Sequence, residues 1–182
     1  MLITGGAKSG KSEFAESLAL TQKNPVIYLA TMPIIVGDRE LAEKIRQHKN
    51  RRPKSWRTIE VELRLDQVVR ELPAGGAVCL LDCLSLFVGN ILHEQEKQAA
   101  SKTKVEELVL RQSEALLAAM KERKEISFLA VTNEVGSGIV PENSVSRQYR
   151  DLLGAVNKEF ALAAKTVWLC CVGLPIKIKP NK

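Results

Sequence analysis

The sequence predicts an α/β fold of three layers, a mostly parallel central sheet between two layers of helices, built as one domain. Short apolar runs alternate with helix-length amphipathic stretches along the whole chain, the pattern of strands joined by crossover helices. Several of those runs (VCLLD, ISFLAVT, VWLCCV) are apolar on both faces, as strands covered on both sides must be. The 182 residues suffice for one well-buried core and are short for two.

In chain order, the first strand is Leu2–Thr4, and it runs directly into Gly5-Gly6-Ala7-Lys8-Ser9-Gly10-Lys11-Ser12. That string satisfies GxxxxGK[ST] and opens a helix over Lys11–Thr21. Glycines let successive backbone N–H groups converge on phosphate oxygens, and the helix amino terminus adds its dipole. Lys11 then reaches the β- and γ-phosphates of a nucleoside triphosphate, and the Ser12 hydroxyl helps to hold Mg²⁺. Chance produces such a match in fewer than about one in a hundred chains of this length, and the strand–loop–helix setting makes coincidence rarer still. The loop marks a P-loop nucleotide-binding domain.

Val26–Ala30 is the second strand, and Arg39–Lys49 follows as a helix. Its end carries the densest cationic stretch, Lys44 to Lys54, with His48 inside it. Leu41, Ile45 and His48 share a helical face by spacing. His48 therefore has two readings. It is a satisfied core histidine, or it is a neutral, nucleophilic imidazole whose cationic neighbours disfavour protonation and offset charge on a phosphate. Residue chemistry alone leaves both open. The cationic run itself also suits a solvated helix end.

A strand over Trp56–Val61 and a short helix over Leu65–Glu71 come next, then the buried strand Val78–Asp82. Asp82 closes that strand where P-loop sites keep a carboxylate for the metal; the competing role is a cap on the helix Leu84–Glu96. The other histidine, His93, lies on this helix among polar neighbours and reads as structural. The polar stretch Glu94–Lys104 is expected to loosen or break the pairing of the helices on either side, the second being Val105–Glu122. Ser127–Thr132 is a strand, and Asn133-Glu134-Val135-Gly136-Ser137-Gly138-Ile139-Val140-Pro141 follows it. Loops after strand carboxyl ends form the crevice of an open parallel sheet, so Gly5–Ser12, Asp82 and Asn133–Pro141 should share one rim. A plain turn at 133–141 fits the composition equally well. A helix over Val145–Ala164 and a strand over Thr166–Val172 end the pattern.

Composition excludes several classes. Hydrophobic residues make up 45% and charged residues 26%, against a disordered chain. No apolar run approaches a membrane span, and a glycine-rich turn occupies the place of a signal-peptide core, so a cytoplasmic location is expected. The net charge of +6 suits an anionic partner, but with eight aromatic residues and no aromatic-basic interleaving a base-stacking nucleic-acid surface is disfavoured. The four cysteines, Cys79, Cys83, Cys170 and Cys171, lack zinc-site spacing and read as small buried hydrophobes.

Taken together, these strings resemble the adenosylcobinamide kinase / adenosylcobinamide-phosphate guanylyltransferase family of cobalamin biosynthesis. TGGAKSGKS resembles the family's TGGxRSGKS, and Asp38-Arg39-Glu40-Leu41 with Ile45 and His48 resembles its D-x-E-M…I-x-x-H helix. Arg52-Pro53 with Trp56-Arg57-Thr58-Ile59-Glu60 resembles R-P-x-x-W-x-T-x-E, and Asp82-Cys83-Leu84 with Asn90 resembles D-C-L…N. The string NEVGSGIVP at 133–141 matches the family's most distinctive one, and Arg150-Asp151, Gly154, Asn157, Val167-Trp168-Leu169 and Gly173-Leu174-Pro175 match its carboxyl end. Lys8, Leu41 and Phe87 depart from the usual Arg, Met and Trp without removing a required group.

The resemblance implies a three-layer, RecA-like P-loop NTPase that phosphorylates adenosylcobinamide with ATP or GTP. It further implies GMP transfer from GTP to the product through a guanylylated His48, giving adenosyl-GDP-cobinamide. It implies nucleotide contacts at Thr31, Met32, Pro33, Lys49, Asn50, Arg51, Arg52, Glu60 and Asp82, with Mg²⁺ at Ser12 and Asp82. A homotrimer is implied as well. The rivals are a P-loop small-molecule kinase with no covalent step and a RecA-like nucleic-acid ATPase.

Overall fold

A sheet with strand order β3-β2-β4-β5-β1-β6-β7 organises the molecule. The structure is a computed structural model that describes residues 1–33 and 39–180; within the helix at 39–51, the side chains of residues 39–42, 44 and 48 lie outside the description. The strands are β1 (Leu2–Gly5), β2 (Val26–Ala30), β3 (Arg57–Glu60), β4 (Ala77–Asp82), β5 (Ile126–Asn133), β6 (Val167–Cys171) and β7 (Leu174–Lys179). The helices are α1 (Lys11–Leu20), α2 (Arg39–Arg51), α3 (Leu65–Arg70), α4 (Leu84–Lys97), α5 (Lys102–Glu122) and α6 (Ser144–Ala163). β1 to β6 are mutually parallel, and only β7 runs antiparallel, against β6.

Strand alternation divides the buried apolar residues between two faces. Val26, Tyr28, Ala30, Val78 and Leu80 point with Ile3 and Val131 toward α1, where Ala15 and Ala19 let the helix approach closely. Ile27, Leu29, Cys79 and Leu81 point the other way, into a larger cluster built by α3, α4, α5 and α6 through Val69, Phe87, Ile91, Leu116, Leu153 and Phe160. A strand apolar on both faces is thus a strand between two helix layers, as expected.

Several local departures have physical causes. β7 is absent from the sequence expectation because Pro175 argues against a strand; Pro is tolerated here because β7 is the last strand of the sheet. Its tight turn puts Val172 at φ 47° and Gly173 at φ 86°. Cys79, Cys83 and Cys170 are buried as expected, but Cys171 is exposed, since it closes β6 at the turn into the edge strand. α5 begins earlier than expected because the Ser101 hydroxyl accepts from the Lys104 N–H and caps it. The polar stretch separates α4 from α5, with Ala99 at φ 51°, but it does not break their pairing: the two helices remain packed together through the same apolar cluster.

Strand register sets the functional rim. Gly5 aligns with Asn133 on one side and Cys170 on the other, while Ala30 aligns with both Asp82 and Glu60. The carboxyl ends of all the parallel strands therefore open on one edge, as the sequence expectation required for Gly5–Ser12, Asp82 and Asn133–Pro141.

Candidate active site

The phosphate-binding loop is held by close backbone packing. A Cβ on Gly5 would lie 2.4 Å from the Cys170 carbonyl oxygen and 2.5 Å from Ser9 Oγ, so only glycine fits. Gly10, at φ 86°, precedes α1, and a Cβ there would sit 3.2 Å from Gly173 Cα. The turn of the β6–β7 hairpin thus backs the loop, with the Gly173 N–H donating to the Ser9 carbonyl at 3.1 Å. Lys8 takes φ 53°, which curls the backbone of the exposed Gly6-Ala7-Lys8 segment while Ser9 is buried. The Lys11 ammonium folds back on the Gly6 carbonyl at 3.2 Å.

Lys11 and Ser12 open onto a cavity of about 270 Å³ that Met32, Lys49, Arg52, Glu60 and Asp82 also line. Each of those had been singled out from the sequence. Tyr28, Ala30, Ile45, Cys83, Leu86 and Asn133 complete the wall. Of the remaining candidates, Thr31 is fully buried and staples two strand ends together: its Oγ1 donates to the Cys83 carbonyl at 2.8 Å and accepts from the Cys83 N–H at 2.7 Å. Asn90 reaches back from α4 to the Thr31 carbonyl at 2.9 Å and the Glu62 carbonyl at 3.1 Å. Pro33 is half-buried, and Asn50 is exposed near the end of α2. Arg51 engages α1, donating to Glu13 at 2.6 Å and to the nearly buried Glu16 at 3.0 Å. Lys49 pairs with Glu60 across the cavity. These three ion pairs fasten the end of α2 to the loop helix on one side and to β3 on the other. His48 belongs to α2, between Ile45 and Lys49, and its ring lies outside the described residues, as do Asp38 and the side chains of Arg39, Glu40 and Leu41.

Asp82 is held by Tyr28, whose hydroxyl donates to Oδ2 at 2.6 Å. Burial first, and then the Asp82 carboxylate, raise the Tyr28 pKa well above its ordinary value, so the phenol stays a donor. The Arg52 guanidinium lies over the Tyr28 ring, 3.5 Å from Cζ to the centroid, and its Nε and Nη1 are buried without a hydrogen-bond partner. Sequence reasoning did not find Tyr28. A tyrosine inside an aliphatic buried strand signals that its hydroxyl has a partner, but the partner becomes visible only once β2 and β4 are aligned.

The third cluster is a shaped loop. Glu134 accepts from the Gly136 N–H at 2.7 Å and the Ser137 N–H at 3.3 Å. Burial pushes its carboxyl up, but the bonds to Ser137 and Gly136 outweigh that and hold it below the usual range. Asn157 joins this region to α6, accepting from Thr132 Oγ1 at 2.6 Å and donating to the Asn133 carbonyl at 2.9 Å.

For a divalent cation, the cavity offers a hydroxyl on Ser12 and a carboxylate on Asp82. Among the described residues no group of three or more His, Cys, Asp or Glu is placed to hold a metal alone. Two hard oxygen donors fit a small cation that takes its other ligands from substrate phosphates and water.

A glycine-built anion cradle between a strand and a helix, with a carboxylate closing a neighbouring parallel strand, defines a P-loop NTPase. Solved structures agree at the level of fold: an ATPase from the type III secretion system of pathogenic bacteria has a TM-score of 0.54 at 10% identity, covering 97% of this chain and 56% of that one. A Pyrococcus horikoshii OT3 protein has a TM-score of 0.52 at 9% identity, covering 100% of this chain and 86% of that one. The chain belongs to the cobinamide kinase / cobinamide phosphate guanyltransferase family, whose model matches residues 1–178. It is 38% identical to the bifunctional adenosylcobalamin biosynthesis protein CobU of Escherichia coli (strain K12), over 98% of this chain and 99% of that protein. It is 36% identical to the bifunctional adenosylcobalamin biosynthesis protein CobP of Pseudomonas aeruginosa, over 98% of this chain and 96% of that protein.

Proposed function

We propose that this chain phosphorylates adenosylcobinamide with ATP or GTP and then transfers GMP from GTP to the product, giving adenosyl-GDP-cobinamide and pyrophosphate. The observation that carries the reading is the full-length family match joined to one cavity, where the phosphate loop, Asp82 and the end of α2 meet. In the first reaction the hydroxyl of the corrinoid's aminopropanol arm attacks the γ-phosphorus, and the nucleoside diphosphate leaves. The loop N–H groups and Lys11 balance the negative charge that develops on the phosphoryl oxygens.

In the second reaction a neutral His48 imidazole attacks the α-phosphorus of GTP, forming a P–N bond as the bond to pyrophosphate breaks. The phosphate of the corrinoid then attacks the same phosphorus, the P–N bond breaks, and the imidazole is restored. Lys49 and Arg52 reach the cavity that receives these groups. Ser12 and Asp82 would hold the Mg²⁺ that arrives with the nucleotide and supplies charge neutralisation at its phosphates. The same reading makes the chain a single cytoplasmic catalytic domain with no nucleic-acid partner, assembled as a homotrimer. The exposed Leu174, Ile176 and Ile178 of β7 give such an assembly apolar surface to cover.

GTP labelled at the α-phosphate tests the covalent step. Wild-type protein should retain acid-labile label after denaturation, and His48→Ala should retain none while still binding GTP. Unlabelled wild type with intact GTP binding would leave a small-molecule kinase without the covalent step. Hydrolysis stimulated by polynucleotide would favour a nucleic-acid ATPase instead.

A further inference from the structure

Tyr28 is 1% exposed in the middle of β2, where phenylalanine would fill nearly the same volume. Its two polar features are nevertheless both engaged. The hydroxyl donates to Asp82 Oδ2 at 2.6 Å, and the ring face carries the Arg52 guanidinium at 3.5 Å. Trp56 stacks beside it, with ring centroids 6.3 Å apart and planes 28° apart. Arg52 thus lies one ring's thickness from a carboxylate-bound phenol, yet keeps Nε and Nη1 unpartnered instead of turning them on Asp82. Two opposite charges that share one cavity with Lys11 and Ser12 would ordinarily pair and cancel. Among the described residues no ion pair joins them: Asp82 is engaged by the phenol hydroxyl and Arg52 by the ring face.

We propose that Tyr28 is a positioning residue that keeps these charges apart and separately available. Its hydroxyl fixes one oxygen of Asp82 and leaves the carboxylate to a divalent cation. Its face fixes Arg52 and leaves that guanidinium to a phosphoryl group of the nucleotide or of the acceptor. The inference rests on the nucleotidyl-transfer reading above, and it assigns the cavity two ligand-facing charges with an aromatic spacer. A half-buried arginine with two buried, idle donors near a constrained carboxylate has no evident purpose in the fold alone.

Tyr28→Phe keeps the ring and removes the hydroxyl, whereas Tyr28→Leu removes both functions. The measurements are Mn²⁺ affinity in the presence of GTP, by electron paramagnetic resonance, and GTP affinity in EDTA, by fluorescence competition. The melting temperature and the Mg²⁺ dependence of α-phosphate labelling complete the set. For Tyr28→Phe the Mn²⁺ affinity should fall roughly tenfold and the half-saturating Mg²⁺ concentration should rise to match, as for loss of one hydrogen bond to a charged group. GTP affinity in EDTA should stay within about twofold, since the Arg52 stack survives. Tyr28→Leu should lose GTP affinity in EDTA as well; if it fails to fold, Arg52→Met must show that loss alone. Unchanged Mn²⁺ affinity in Tyr28→Phe, or equal losses with and without metal, overturns the proposal. Wild type that binds Mn²⁺ and GTP but takes no label defeats the transferase reading and leaves the spacer standing or falling on its binding arms.

Discussion

Single positions carry much of the site's rigidity, and Gly5 is the sharpest case. A methyl group there would meet backbone at 2.4 Å, which cannot give as a flexible side chain could. Gly5→Ala should cost about 1–3 kcal/mol of stability and lower nucleotide affinity at least tenfold, read by thermal melting and nucleotide titration. Gly6, whose Cβ would meet nothing within 4 Å, supplies the control: Gly6→Ala should melt with wild type. An unaltered melt for Gly5→Ala would mean that the loop is not braced on β6. This scale was also the most legible in the sequence where chemistry demands a string. Lys11, Ser12 and Asp82 needed only a motif and a strand end, whereas Tyr28 needed a partner 54 residues away. The family resemblance groups Arg51 with its cationic neighbours around the nucleotide; its engagement with Glu13 and Glu16 depends on how α2 crosses α1, which no local pattern encodes.

Elements were readable through period and caps. Both-face apolarity located β4, β5 and β6, and amphipathic spacing located the long helices, because burial by two layers writes itself into composition. The hairpin strand β7 escaped because it is exposed along nearly its whole length and interrupted by Pro175. The end of α4 shows a different kind of residue choice. Ala99 sits at φ 51° just past the helix, with its N–H donating to the Glu96 carbonyl at 3.0 Å and the Ala100 N–H to the Gln95 carbonyl at 3.2 Å. That is the left-handed position helices usually give to glycine. Ala99→Gly should therefore stabilise the protein by up to about 1 kcal/mol, seen as a higher denaturant midpoint with an unchanged slope. A lower midpoint would show that chain entropy outweighs the relief.

At the scale of the whole molecule, stability should turn downward in alkali for an identifiable reason. Burial pushes the Cys79 thiol up to about 12, and burial with the Asp82 charge pushes Cys83 up to about 11, against an ordinary value of 9.0. Above pH 9 the unfolded chain ionises these thiols while the folded chain keeps them protonated, so the unfolded state binds fewer protons and stability falls as pH rises toward those values. Each thiol adds about 1.4 kcal/mol per pH unit at most. Urea midpoints between pH 8 and 10.5 should decline, and Cys79→Ala should flatten the slope; an equal slope in that variant would assign the decline elsewhere. The three-layer plan itself was legible from alternation alone, since a parallel sheet must be paid for with crossover helices. The edge hairpin was not, and it has a use. Because the amide of Gly173 rests on the Ser9 carbonyl, a tightening of that cradle around a triphosphate should register at the sheet's margin. A nitrogen-15 resonance at position 173 is thus a built-in gauge of occupancy, readable without tagging either substrate.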